Sequence, residues 1–385
     1  MTKTPLRLLA LSALLLPAVL LAACARGAAT EPTPTPSPAA VLPAVALVAP
    51  VYLIRQGQVW RLERDGRTQQ QITAEPAGVE SLDVSPLDNS LVYLTANGLV
   101  RTGPRGEDRR VLLQGPSLPP VDDELAARNS REWIRGRVST PVFAPDGSRI
   151  AYVHNGLRTM AVDGSGVQMR LPNDPIPDAG EVRDARVIRS IAAWSPDGAS
   201  LVLISFKYPV ASVLYQEAII LGESAYLYPV LRGGTATFGW SVDSQTLFAA
   251  NPRIGGMDAL LACTVADGRC TMIGEDIPAR RSFFYAYPHA AGPDQILVFM
   301  GSSTSPAEAP DQFNMIRLQT SGYGRTDLRQ DGYAIRTALW APDGSGALIV
   351  TADDRLVWLP AGPGPAVPLP AAGDTALHWA AGGVD

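Results

Sequence analysis

Histidine, cysteine and lysine are scarce here: 3 His and 3 Cys in 385 residues, with Lys3 and Lys207 the only lysines. His154, His289 and His378 are far apart, so no compact histidine motif exists to hold a catalytic metal. There is no Gly-x-Ser-x-Gly elbow, no His-Glu-x-x-His and no phosphate-cradling glycine loop. The short DGSG runs at Asp163 and Asp343 lack the ligand spacing of an EF-hand and read as hairpin turns. No metal and no cofactor is therefore expected. Positive charge is not concentrated either. The formal net charge is −5 and no basic cluster stands out, which argues against a nucleic-acid partner. Beyond the first two dozen residues no apolar run reaches the ~20 residues of a membrane-spanning helix.

What is present begins with MTKTPLRLLALSALLLPAVLLAACARG. Lys3 and Arg7 precede an apolar stretch from Leu8 to Ala23, broken by Ser12 and Pro17 and shorter than a span. It reads as a secretory signal over residues 1–23. Its end, Leu21-Ala22-Ala23-Cys24, resembles the lipobox of bacterial lipoproteins. That resemblance implies cleavage before Cys24 and lipid on its thiol, with two or three acyl chains giving stable anchoring where one would not. An ordinary signal peptide that happens to contain Cys24 is the alternative. Residues 24–50 are rich in Thr-Pro and Ala, favour extended conformations, and read as a tether. Residues 51–385 form the folded domain. The chain is expected at the cell membrane or outer envelope, extracytoplasmic, and held there by lipid alone.

Within the domain one phrase recurs: FAPDGSRIAYV from Phe143, WSPDGASLVLI from Trp194 and WAPDGSGALIV from Trp340. In each, an aromatic residue is followed seven positions later by a strand. Pro presets the turn, Asp suits the next position, and Gly takes the positive φ that closes a bulged hairpin. VSPLDNSLVYL at Val84 and WSVDSQTLFAA at Trp240 fit the frame, and HAAGPDQILVF at His289 fits it loosely. Trp379 begins a last anchor with nothing after it. Conversely, YLIRQGQVWRLERDGRTQQQIT from Tyr52 matches the second, third and fourth strands of a repeat and has no anchor before it. Each end supplies what the other lacks. The expectation is an all-β fold: a single β-propeller of seven four-stranded blades, its ring closed by the C-terminal strand joining the N-terminal blade. The weak anchors at Val84 and His289 leave six or eight blades open, and a sandwich would leave the complementary ends unexplained.

The Trp-Ser-Pro-Asp-Gly signature at Trp194 and its variants resemble the PD40, or TolB-like, family of WD40-like propellers over nearly the whole domain. The resemblance implies the fold and a bias toward binding protein partners. This chain departs from TolB in lacking the preceding α/β domain, and from the related prolyl-oligopeptidase propellers in lacking a hydrolase domain, so no activity is implied.

In such a blade, Pro-Asp-Gly turns and strand three-to-four turns share one end of the ring. Strand two-to-three loops and blade-to-blade links share the other. The long insertions fall on that second end: residues 115–138 and 172–187 as links, 301–313 and 207–215 as loops. Connections this long are commonly functional. In the first link, Asp122, Asp123 and Glu124 suit the start of a short helix. Arg128, Arg131, Trp133, Arg135 and Arg137 follow, an interface-prone mixture. Arg131, Trp133 and Arg135, with Tyr208 and Tyr215, form the candidate binding face. The alternative is that Trp133 packs on the propeller and the arginines pair with the carboxylates. Cys263 and Cys270 flank TVADGR: a four-residue loop, Val265 to Gly268, would put them opposite each other on one face and a three-residue loop would put them on opposite faces, and the expected extracytoplasmic compartment favours the disulfide. The leading functional expectation is a binding or scaffold module for a protein, peptide or glycan partner in the envelope. Two others stay open. One is a propeller lyase or hydrolase using channel residues, which would gain if His289 and His378 shared a cavity with carboxylates. The other is a structural spacer.

Overall fold

A computed structural model describes residues 45–115, 131–176, 185–208, 216–222, 227–232, 236–251, 260–273, 282–305, 308–321, 324–372 and 376–381. Their strands form seven antiparallel sheets of four. Blade one joins Leu377–Trp379 to Val51–Arg55, Gln58–Leu62 and Gln69–Gln71. Blade two is Ser81–Val84, Leu91–Thr95, Gly98–Thr102 and Arg110–Gln114, and blade three is Val138–Phe143, Arg149–His154, Gly156–Ala161 and Gln168–Pro172. Blade four runs Ala185–Trp194, Leu201–Tyr208, Gln216–Leu221 and Leu227–Arg232; blade five, Thr237–Trp240, Thr246–Ala250, Leu260–Thr264 and Cys270–Met272. Blade six comprises Ser282–Gly292, Gln295–Ser303, Phe313–Gln319 and Arg325–Tyr333; blade seven, Ile335–Trp340, Gly346–Thr351, Arg355–Pro360 and Val367–Ala372. Among the described residues one helix, α1 (Arg131–Gly136), lies in the link between blades two and three. Among the described residues no helix is long and apolar enough to cross a membrane.

Burial follows position within a blade. Second strands are sandwiched between neighbouring blades, so Leu91–Thr95 and Gly346–Thr351 are buried along their whole length and need apolar residues on both faces. The fourth strand of blade three, Gln168–Pro172, faces water and is largely exposed. Tyr52, Tyr93 and Tyr152 are among the largest fully buried side chains. A buried phenol needs a partner for its O–H: Tyr52 donates to the Pro104 carbonyl at 3.0 Å and Tyr93 to Glu75 Oε1 at 2.7 Å.

The turn chemistry works as the repeated phrase predicts. Gly147, Gly198 and Gly344 have φ of 62°, 70° and 69°, and each donates its N–H back to the carbonyl three residues earlier. The turn aspartates accept the following backbone N–H groups: Asp146 from Ser148, Asp343 from Ser345. Hydrogen bonds from the Ser195 and Ser345 hydroxyls hold the carboxyls of Asp197 and Asp343 below the ordinary aspartate value, and the Ser148 N–H does the same for Asp146. Anchor pairing also follows the frame: Val84, Phe143, Trp194, Trp240 and Trp340 lie opposite Leu91, Ile150, Leu201, Leu247 and Ala347. Blade six is the exception. Bulges on either side shift the register, so His289 opposes Leu297 and Ala290 takes the place opposite Ile296.

The ring closes through Leu377–Trp379, which pairs with the first strand as Val51–Trp379, Tyr52–His378 and Leu53–Leu377. Two anchors clasp the preceding blade as well: Trp379 Nε1 donates to the Trp340 carbonyl at 2.7 Å and Trp340 Nε1 to the Tyr287 carbonyl at 2.6 Å. Residues 45–50, assigned to the tether on composition, belong partly to the fold. Leu47 is buried in the core between blades one and seven, and its N–H bonds the Arg64 carbonyl at 2.7 Å. Apolar burial outweighs the extended tendency of the preceding Thr-Pro run.

Candidate functional site

The two ends of the ring differ in how their connections are made. On the Pro-Asp-Gly end, tight turns join first to second strands, and third to fourth strands are joined by moderate connections, the longest from Thr102 to Arg110. On the other end, blade one keeps a two-residue turn, Gln56-Gly57, and blade three a three-residue one, His154 to Gly156, each with positive φ at its last two residues. Blades four, five and six instead carry long connections between second and third strands, after Tyr208, Ala250 and Ser303. The one after Ala250 was not singled out from sequence.

Two adjoining cavities open on this loop-rich end. The larger, about 120 Å³, is lined by Glu80, Ser81, Leu94, Arg137, Ser139, Thr140, Arg189 and Ser190. The smaller, about 20 Å³, shares Arg137, Ser139 and Arg189 and is otherwise apolar, with Ile134, Val187 and Phe206 among its walls. Both lie where the inner strands of blades three and four begin.

The walls are made by two facing bulges. In blade three the register jumps between Ser139 and Val142, so Thr140 and Pro141 have no direct partner on the second strand. In blade four it jumps between Ile188 and Ser190, leaving Arg189 as the extra residue. Bulges re-aim side chains that a regular strand would point into the neighbouring blade. Thr140 takes φ of 43°, a genuine outlier for a β-branched residue that costs ~1–3 kcal/mol. The strain is held by hydrogen bonds across the blade gap. Ser139 Oγ donates to the Arg189 carbonyl at 2.8 Å, and Ile191 N–H donates to Thr140 Oγ1 at 3.3 Å. The inner edge of blade four is covered as well: Asn173 Oδ1 and Asp174 Oδ2 accept from Ile188 and Arg186 at 2.9 Å each. The bulged arginine therefore sits on a backbone fixed from both sides.

The residues expected at a binding face are placed unevenly. Arg131 and Trp133 are on α1, but their side chains lie outside the described residues. Arg135, also on α1, is exposed. Tyr208 is half-buried against the cluster of Ile134, Val187 and Phe206 that seats α1, so much of its area goes to packing rather than to solvent. Tyr215 and Cys24 lie outside the described residues, as do Asp122, Asp123 and Glu124. Arg189 and Thr140 are the residues missed, and Arg137, noted in the first link, was not assigned to the binding face. Cys263 and Cys270 are direct cross-strand partners, and their sulfurs are bonded.

The histidines are apart. His289 stacks on Trp340 at 6.1 Å between ring centroids, and burial holds its pKa below the ordinary imidazole value. His378 Nδ1 is 3.2 Å from Asp83 Oδ1, while the other oxygen of Asp83 accepts the Phe143 N–H at 2.6 Å. That carboxylate ties blades one, two and three together. Blade seven stands between His289 and His378 in the ring, and neither histidine lines the cavities above. His154 is half-buried, with its pKa lowered first by burial and then by Arg158. Among the described residues no group of three or more His, Cys, Asp or Glu is placed to hold a metal ion.

No protein-family model matches this chain, and no curated protein matches it. Solved structures do. The tricorn protease is similar over 87% of this chain and 34% of its own, at a TM-score of 0.53 and 9% identity. The likeness is one of fold. This chain thus spans about a third of the tricorn protease's length. TolB from Acinetobacter baumannii is similar over 89% of this chain and 68% of its own, at a TM-score of 0.43 and 13% identity. The putative TolB from Agrobacterium tumefaciens covers 72% of this chain with 86% of its own, at 0.38 and 12%. At such identities the chain is a seven-bladed propeller structurally similar to these, and its chemistry has to be read from its own residues.

Proposed function

We propose that the chain is a lipid-anchored, extracytoplasmic propeller that serves as a binding or scaffold module for a protein, peptide or glycan partner in the cell envelope. The observation that carries this is the asymmetry of the ring. The longest connections and two adjoining cavities share one end, while shorter connections and the tight Pro-Asp-Gly turns close the other. A rigid scaffold with variable loops on one face is where binding tends to be built. The anchor rests on Leu21 to Cys24, with residues 25–44 as a spacer from the membrane.

The test is site-specific photo-crosslinking in envelope preparations. A photoreactive side chain replaces exposed Arg135 on the loop-rich end, or Val242, 67% exposed in the turn of blade five on the opposite end. Adducts to a discrete partner from Arg135 and none from Val242 are expected. The same adducts from Val242 alone would reverse the assignment of the binding end.

A further inference from the structure

We propose that the exposed apolar edge of blades two and three, on the Pro-Asp-Gly end of the ring, lies against the lipid bilayer that holds the chain. The loop-rich end then faces away from that bilayer, toward its partner. The inference rests on the lipid-anchor reading above and adds a second contact with the same membrane.

Among the described residues six large apolar side chains are exposed, and four of them, Leu87, Val111, Val167 and Met169, fall in these two blades. Leu87 is in the turn between the first and second strands of blade two, and Val111 is the second residue of its fourth strand. Val167 directly precedes the fourth strand of blade three, and Met169 is the second residue of it. Fourth strands begin on the Pro-Asp-Gly end, so all four side chains are within two residues of a connection there. The connections of the two blades also touch. A Cβ on Gly147, in the first turn of blade three, would meet Leu87 Cγ at 2.5 Å. One on Gly164, in the next connection of that blade, would meet Leu112 Cδ2, beside Val111, at 3.3 Å. Apolar residues exposed singly are ordinary, whereas a group of them on adjoining turns marks contact with something apolar.

What covers the edge follows from where the chain enters the ring. Leu47 N–H bonds the Arg64 carbonyl, and a Cβ on Gly66 would meet Val45 Cγ1 at 2.5 Å. Arg64 and Gly66 belong to the connection between the third and fourth strands of blade one, again on the Pro-Asp-Gly end. Blade one shares a core with blade two, so the entry point adjoins the apolar edge. Residues 25–44 separate Cys24 from Val45, at most ~70 Å of chain. A lipid on Cys24 therefore keeps this end of the ring within reach of the bilayer, and a contact too weak to hold by itself becomes intramolecular. A second copy is the other apolar partner available, and nothing holds one here as the tether holds the membrane. Charge does not mark the edge. Arg101 pairs with Asp88 at 3.2 Å, Arg109 is bonded to Glu75, and exposed Arg105 and Arg110 stand among exposed Glu107, Asp108 and Asp163. The contact is thus one of aliphatic side chains with the upper acyl region, and it needs no anionic lipid.

Full-length lipidated protein bearing Val167→Cys, Val242→Cys or Arg135→Cys is labelled with an environment-sensitive dye and returned to phosphatidylcholine vesicles. Cys263 is bonded to Cys270, and the lipid occupies Cys24, so the dye goes to the added thiol. Part of the phosphatidylcholine carries a spin label high on its acyl chain, which quenches only dyes close to it. Position 167 is at the proposed contact, 242 is in blade five on the same end, and 135 is on the loop-rich end. An apolar face at the interface sits ~5–10 Å into the headgroup boundary, so the dye at 167 should be quenched about threefold more than either other dye. Leu87→Asp/Met169→Asp alters only exposed side chains. It should bring the quenching at 167 down to the level at 135 while the chain stays in the membrane fraction. Salt at about 0.5 M should change nothing, because screening weakens contacts between charges. Equal quenching at the three sites, stronger quenching at 135, or quenching at 167 that survives the double variant or is abolished by salt would overturn the proposal. So would a two-chain particle in detergent that the double variant splits, which would give the edge to a second copy. A chain that takes no lipid and leaves the vesicles would remove the anchor reading and this inference together. One that stays on the vesicles with no difference between sites would remove this inference alone.

Discussion

Trp379 is the last anchor of the ring, and shortening it isolates what closure contributes. Its indole is half-buried, donates to the Trp340 carbonyl at 2.7 Å, and meets Trp358 edge-on at 6.2 Å between centroids. Truncating a fully buried Trp or Phe costs ~3–5 kcal/mol. Half-burial reduces that to ~2 kcal/mol, and the lost hydrogen bond adds ~1 kcal/mol. Trp379→Ala should therefore lose ~3 kcal/mol. Trp379→Phe, which keeps a ring and loses the N–H, should lose ~1 kcal/mol. Against a stability of ~5–15 kcal/mol these are large and separable effects. With a urea m-value at or above ~3 kcal/mol/M for a domain this size, the midpoints should fall by up to ~1 M and ~0.3 M. Leu53→Ala, at a neighbouring buried position of the same blade, is the positive control and should cost ~2–5 kcal/mol. If Leu53→Ala shows its cost while both Trp379 variants unfold with the unaltered protein, the last strand is not holding the ring.

Four further outcomes are expected. Glu75, buried between blades one and two, accepts two bonds from Arg109 at 2.7 and 3.1 Å and one from Tyr93, and the arginine holds its carboxyl below the ordinary value. Its lowered folded pKa means the ionised form stabilises the fold above the unfolded glutamate value of ~4.3 and loses that contribution as pH falls through the folded value. Glu75→Gln should cost ~1–3 kcal/mol near pH 7, and the gap to the unaltered protein should narrow below about pH 4 in denaturation curves run across that range. Gly239→Ala should destabilise by ~2–3 kcal/mol in the same assay, because the added Cβ would meet the Pro288 carbonyl oxygen of blade six at 2.0 Å. Reducing Cys263–Cys270 should lower stability by ~2 kcal/mol, the loop-closure value for so short a loop, seen as a shift in urea midpoint with reductant and absent from a Cys263→Ala/Cys270→Ala variant. Cys24→Ser should abolish fatty-acid labelling and move the chain out of the membrane fraction; continued labelling would remove the lipobox assignment.

The fold was readable because its units are local and repeat. Trp-x-Pro-Asp-Gly specifies a turn through three residues whose φ preferences are intrinsic, and the structure puts Gly147, Gly198 and Gly344 in the conformation that only glycine takes freely. Blade six was misplaced by one residue because bulges on either side of His289 and Ala290 shift its register, and HAAGPDQILVF has no Pro-Asp-Gly turn at the usual spacing to fix it. A further repeat went unnoticed. Thr140 and Thr237 each stand three residues before an anchor, and each hydroxyl accepts an N–H from the next blade's inner strand, Ile191 and Tyr287. Spacing alone could have shown it, since Thr337 stands in the same place before Trp340.

The candidate site was less legible because bulges create it, and a bulge registers in sequence only as a fault in the pattern. Two such faults are present. Val138-Ser-Thr-Pro-Val-Phe143 puts a proline inside an inner strand, where it cannot donate to the ladder and is tolerated at a bulge. Ala185-Arg-Val-Ile-Arg-Ser-Ile-Ala-Ala-Trp194 breaks its alternation with adjacent apolar residues at Val187 and Ile188, both buried. In a regular strand only one of that pair could face its own side. Each fault alone reads as noise. Together they matter because inner strands of consecutive blades lie side by side, so bulges near the same depth must face each other across the gap. The two slips open space that close-packed blades otherwise deny, and they turn Arg189 and Thr140 toward it. The aromatic and arginine residues of α1 stand out by composition, yet Tyr208 and Ile134 are engaged in seating that helix. The residues best placed to meet a ligand are those whose strands depart from the repeat.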